Sequence, residues 1–258
     1  ASVNTRTRPP GAARRPMWRD MTHRRRFGLP CIAVLVGTAC LAAAQPSVPA
    51  QVEAPVTWLI FVDDLHLDFR TTGFLRTALR TMATELIRDG DTFAIASSGP
   101  SRLAVDVTSD RRVLKGAIKT ATGNGLKYSD IAGGPDPFAE VRYRLSISTA
   151  AARELLGNAA ALAGPTVMLY VSNGYSLVQE QLGAIPPLAR QSGVKIFAID
   201  PRVAFSADVL DAGDPAWRDH QPATQQSLRS ISDPTGGFAI VEGDFVTGVQ
   251  RIKGAMQR

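Results

Sequence analysis

Val56-Thr57-Trp58-Leu59-Ile60-Phe61-Val62 is followed at once by Asp63-Asp64. A short, almost unbroken apolar run marks a strand buried on both faces of a parallel sheet. The abrupt change to two acids marks its carboxyl end. Two later runs read the same way. Thr166-Val167-Met168-Leu169-Tyr170-Val171 stops at Ser172-Asn173-Gly174, and Val194-Lys195-Ile196-Phe197-Ala198-Ile199 stops at Asp200-Pro201.

Around these runs the spacing predicts helices. Phe74, Leu75, Ala78, Leu79, Met82, Leu86 and Ile87 recur at helical intervals over residues 74–88, with Gly90 closing the segment. Asp110 is placed to cap a helix carrying Val113, Leu114, Ala117 and Ile118. Further helices are expected over residues 141–163, 177–192, 225–232 and 245–256, with Pro186-Pro187 marking a kink or restart. Residues 91–96 read as a second strand and 237–241 as the last. Residues 103–108 alternate and read as an edge strand, and 122–137 form a Gly- and Pro-rich loop.

Strands alternating with helices imply right-handed crossovers. The expected fold class is α/β: a Rossmann-like, doubly wound, mostly parallel sheet of about six strands, with helices on both faces and one antiparallel edge strand. Ligands of such sheets bind at the carboxyl ends of the strands, where strand order reverses. The residues to examine are therefore Asp63, Asp64, His66, Ser172, Asn173 and Asp200.

The chain has 258 residues and a net charge of +6, but the charge is unevenly spread. Eight basic residues and one acid precede Gln45, which leaves 21 basic and 22 acidic residues after it. The high pI belongs to the first segment, so nucleic acid is not an expected partner. Arg24-Arg25-Arg26-Phe27, an apolar run from Gly28 and the ending Ala42-Ala43-Ala44 read as a secretory signal over residues 21–44. A general secretory signal fits better than a twin-arginine one, because His23 stands where Ser or Thr is usual. Gly37 argues against a lipoprotein box at Cys40. Residues 1–20 read as disordered or as a translation start placed too far upstream. Residues 45–55 read as a linker, and 56–258 as the domain. The expected location is periplasmic or secreted, with no stable membrane span after cleavage. Both cysteines, Cys31 and Cys40, fall before Gln45, which excludes a disulfide framework or a Cys-based zinc site in the domain.

The familiar catalytic motifs are missing: there is no Gly-x-Ser-x-Gly elbow, no Gly-Lys-Ser/Thr phosphate loop, no Gly-x-Gly-x-x-Gly and no His-Glu-x-x-His. Several segments instead carry a resemblance. Phe61-Val62-Asp63-Asp64-Leu65-His66-Leu67 ends the first strand. Leu103 to Asp110 leads into a helix, and Val171-Ser172-Asn173-Gly174 ends the central strand. Leu228-Arg229-Ser230-Ile231-Ser232-Asp233-Pro234-Thr235-Gly236-Gly237-Phe238 joins a helix to the last strand. In this order and spacing, residues 56 to 256 resemble a von Willebrand factor A (VWA) domain of the acidobacterial VWA-related type.

That resemblance implies a non-enzymatic, exported module that binds a protein partner in the bacterial envelope. VWA domains often hold Mg²⁺ or Mn²⁺ at an adhesion site built from Asp-x-Ser-x-Ser, a Thr and a later Asp. Here Asp63 matches the first Asp, and Leu65 and Leu67 stand at the serine positions. Asn173 stands at the last Asp, and Thr122 or Ser129 falls in the loop of the Thr. The resemblance thus implies a degenerate site, with Asp63, Asp64 and Asn173 as the ligands for any weakly held Mg²⁺ or Ca²⁺. His66, Ser172 and Asp200 would line the partner-binding rim. The bland alternative is that one acid caps loop amides, the other is solvated and Asn173-Gly174 is a turn. The enzymatic alternative is Mg²⁺-dependent phosphoryl transfer or a receiver-like domain using Asp63 and Asp64, with Asp106 the available acceptor.

Overall fold

Trp58, Ile60 and Val62 point to one side of their strand, and Leu59 and Phe61 to the other, and all five are buried. A strand with hydrocarbon on both faces must lie inside a two-sided sandwich. The computed structural model describes residues 54–126, 136, 138–175, 179–204 and 220–257. The expected leader and nearly all of the expected linker lie outside them.

Six strands form one sheet: β1 (Thr57–Val62), β2 (Thr92–Ser97), β3 (Ala104–Thr108), β4 (Thr166–Val171), β5 (Val194–Ile199) and β6 (Ala239–Ile240). Their order is β3-β2-β1-β4-β5-β6. All neighbours are parallel except β2 and β3, which are antiparallel. The α/β class, the strand number and the single antiparallel edge follow the sequence reading.

Helices cover both faces. α1 (Thr72–Glu85), α2 (Arg111–Thr120) and α6 (Phe245–Met256) pack on the side of Trp58, Ile60, Leu169 and Phe197. α3 (Ala139–Ala159), α4 (Ile185–Gln191) and α5 (Gln221–Ser232) pack on the side of Phe61, Met168, Tyr170 and Ile196. Among the described residues no helix is long and apolar enough to cross a membrane.

Local differences from the sequence reading have local causes. The first helix stops at Glu85, and Leu86 and Ile87 are buried from the turn that follows. That turn is tied down by Asp91, whose carboxylate accepts from Arg88 N, Val56 N and Trp58 Nε1. The segment before Pro186 is a 3₁₀ turn (Gln179–Ala184), and the α-helix restarts with proline in its first turn. Pro222 likewise lets α5 begin four residues earlier than its apolar spacing shows. The last strand shrinks to two residues, because Gly236 takes φ 80° and the chain at Gly237 lies against the backbone of Ile196. Asp110 caps α2 as expected, accepting from Arg112 N at 2.9 Å.

Leu169 sits in the central strand with no exposed surface. Leu169→Ala should lower stability by about 2–5 kcal/mol. The urea midpoint should fall while the denaturant slope stays unchanged, and an unaltered midpoint would contradict this core.

Candidate functional site

The strand register builds the site. Val62 pairs with Ser97 on one side and Val171 on the other, and Val171 pairs with Ile199. The next residue of each strand therefore falls on one level row: Ser98, Asp63, Ser172 and Asp200. Backbone bonds extend the ladder through that row, from Ser98 N to Val62 O, Asp63 N to Val171 O, Ser172 N to Ile199 O and Asp200 N to Ile240 O. Strand order reverses between β1 and β4, so Asp63 and Ser172 stand at the switch point.

Asp63 is wholly buried and accepts five side-chain hydrogen bonds. Its Oδ1 accepts from His66 Nδ1 (3.0 Å), Ser98 Oγ (2.9 Å) and Ser148 Oγ (2.6 Å). Its Oδ2 accepts from Ser172 Oγ (2.8 Å) and the Tyr175 hydroxyl (2.5 Å). Tyr170 in turn donates to the Tyr175 oxygen. Burial alone would raise the Asp63 pKa. His66, Ser148 and Tyr175 outweigh it and hold the acid at about 2. Burial and the charge of Asp63 push the phenols of Tyr170 and Tyr175 well above their usual value.

Asp64 is equally buried and faces the β2 side. Ser98 Oγ lies 2.9 Å from an oxygen of each acid, so the two carboxylates share one hydroxyl. Ser101 N donates to the other Asp64 oxygen at 2.7 Å. Thr122 joins this corner through Ser101, whereas Ser129 lies outside the described residues.

Asn173 belongs to a second cluster. Its Oδ1 accepts from Asp68 N and its Nδ2 donates to Asp200 Oδ1, both at 3.0 Å. Arg202 clamps Asp200 and also donates to Asn173 O and Thr224 Oγ1. The neutral amide here has a physical reason: only a side chain that both accepts and donates can bridge Asp68 N to the Asp200 carboxylate. Gly174 follows with φ 80°, and a Cβ there would stand 2.2 Å from Thr224 O, so the turn needs glycine.

The structure thus gathers Asp63, Asp64, His66, Ser172, Asn173 and Asp200 onto one rim, in two adjoining clusters. Ser98, Ser148, Tyr175 and Arg202 escaped the sequence reading. Ser98 was within reach of it, since strand register alone places it beside Asp63. Ser148, from the third turn of α3, and Tyr175, beyond a turn, carry no local signal.

Protein donors cover both oxygens of Asp63. Five protein hydrogens occupy its two oxygens, and Leu65 and Leu67 are buried hydrocarbon. Among the described residues no group of three or more His, Cys, Asp or Glu is arranged to hold a metal ion. His66 presents the same nitrogen, Nδ1, to Asp63 and to Ser148, unlike a triad in which the acid and the hydroxyl bond opposite ring nitrogens. Asp106 lies exposed on the edge strand β3, off the row.

No family model and no characterised protein sequence matches the chain. Among solved structures it is similar to proximal thread matrix protein 1 of the mussel byssus, at 10% identity and a TM-score of 0.39. That match covers 80% of this chain and 47% of the mussel protein, so the chain spans about half the length of that neighbour. A likeness of this degree carries no argument about function.

Two outcomes test the site. Because the folded pKa of Asp63 lies below its unfolded value, its stabilisation is complete above roughly pH 4 and is lost as pH falls through about 2. The shift corresponds to about 2 kcal/mol. Asp63→Asn should be less stable at pH 7 and show a shallower loss between pH 4 and 2 in urea titrations; a slope equal to the parent's would refute the assignment. Asn173→Asp sets two carboxylates face to face and should lower stability by about 1–3 kcal/mol at pH 7. A neutral or stabilising result would mean that the amide does not bridge.

Proposed function

We propose that the chain is a von Willebrand factor A-type binding module of the bacterial envelope. Its rim, locked by its own hydrogen bonds, recognises a protein partner. The observation that carries this reading is the enclosure of Asp63. Donors from the ends of β2 and β4, from α3 and from the loops after β1 and β4 converge on one carboxylate. The described segments that leave β1 and β4, as far as His66 and Tyr175, are therefore preorganised, and a preorganised surface loses less entropy on binding.

The outward side of the same rim supports the reading. The polar groups at the strand ends turn inward and satisfy one another, whereas large aromatic residues face solvent. Phe69, in the 3₁₀ turn after β1, is 68% exposed, and Tyr143, near the start of α3, is 61% exposed. The start of α3 lies at the rim, since Arg144 donates to Asn124 O and reaches Leu65 O. Exposed aromatics beside a rigid polar scaffold suit the anchors of a protein interface. On this reading the chain is not an enzyme, needs no cofactor and acts after export, in the periplasm or outside the cell.

The test is capture from envelope extract with the full chain, in buffer with Mg²⁺ and again with chelator. A partner should be retained equally in both conditions. Phe69→Ala combined with Tyr143→Ala should weaken retention by roughly tenfold or more, as for interface anchors. Retention abolished by chelator would refute the metal-free rim, and retention indifferent to both substitutions would move the binding surface elsewhere.

A further inference from the structure

α2 concentrates charge in a way that the rim does not explain. Its ten residues hold Arg111, Arg112, Lys115 and Lys119 and no acid, although the chain after Ala44 carries slightly more acid than base overall. Leu114 and Ile118 anchor the helix to the core, which turns Arg112, Lys115 and Lys119 to solvent as one stripe.

Two bonds show that α1 runs antiparallel beside this helix: Arg111 reaches Ile87 O past the end of α1, and Arg76 near its start reaches Ala121 O. Arg76 and Arg80, one turn apart on α1, therefore lie alongside the upper half of α2 and its Lys115 and Lys119. Arg111 and Arg112 pair with Asp89 and Asp110 at the lower end. Among the described residues Lys115 and Lys119 have no ion pair, and Arg80 meets only the Thr77 hydroxyl.

We infer that this α1–α2 face docks on an anionic phospholipid surface. The charges form a plate rather than a pocket. The two lysines are hydrated point charges without the fork that selects one carboxylate, and Val113, 41% exposed, flanks the stripe. A diffuse sheet of phosphates complements such a face better than a single acidic side chain does. Each lysine near such a surface strengthens binding by roughly fivefold at moderate salt.

Hydrogen exchange on the full chain tests this segment by segment, so any contribution from the apolar run after Arg26 does not obscure it. Vesicles of phosphatidylglycerol and phosphatidylcholine should slow exchange across residues 111–120 in 50 mM salt. Pure phosphatidylcholine vesicles should not, and 500 mM salt should remove the effect. Lys115→Glu with Lys119→Glu should abolish the protection and leave exchange in the core strands unchanged. Arg153→Glu with Lys253→Glu, of equal charge change, should preserve it. The inference fails if exchange over 111–120 is the same with both vesicle types, or if both double variants lose protection alike. It fails equally if heparin protects the segment and the anionic vesicles do not.

Discussion

Taking an ionised carboxylate out of water carries a penalty of several kcal/mol, and only partners of good geometry offset it. Asp63 meets that condition with five donors drawn from across the carboxyl end of the sheet. Each donor satisfied there is also a segment held in place. β2 is held through Ser98, β4 through Ser172, α3 through Ser148 and the following loops through His66 and Tyr175. The charge acts as a keystone: the surrounding loops can leave their positions only by exposing it or leaving it unpaired.

The neighbouring cluster follows the same logic with other chemistry. Asp200 is neutralised by Arg202 and braced by Asn173, whose amide also fixes the backbone of Asp68. Together the two clusters tie the ends of β1, β4 and β5 to the loop after β1 and the start of α5. No buried side-chain nitrogen or oxygen among the described residues lacks a partner. A fully satisfied polar network of this kind specifies one arrangement, since any shift strands a group in low dielectric. The proposed binding role draws on that rigidity, with the aromatic residues standing outside the network.

Hydroxyl and ring-nitrogen hydrogens surround Asp63, and Leu65 and Leu67 follow it as buried hydrocarbon. Leu67 has no exposed surface and belongs to the core cluster of α1 and β1. Its position after the strand serves packing, and apart from His66 the side chains that cover Asp63 come from elsewhere in the chain.

How much of this was legible in the chain divides along a physical line. The apolar runs ending at Asp63, Ser172 and Asp200, the helical spacing of Leu75, Leu79 and Met82, and the cap at Asp110 are local patterns. The sequence by itself determined from them the doubly wound sheet, its edge strand and the rim on which the polar residues meet, because strand and helix periods are written in neighbouring residues. Only the tertiary structure decided that Ser148, 85 positions after Asp63, and Tyr175, 112 positions after it, would complete the shell of that acid. A hydrogen bond depends on distance and angle in space, and no periodicity along the chain encodes which distant hydroxyl will arrive at a buried charge.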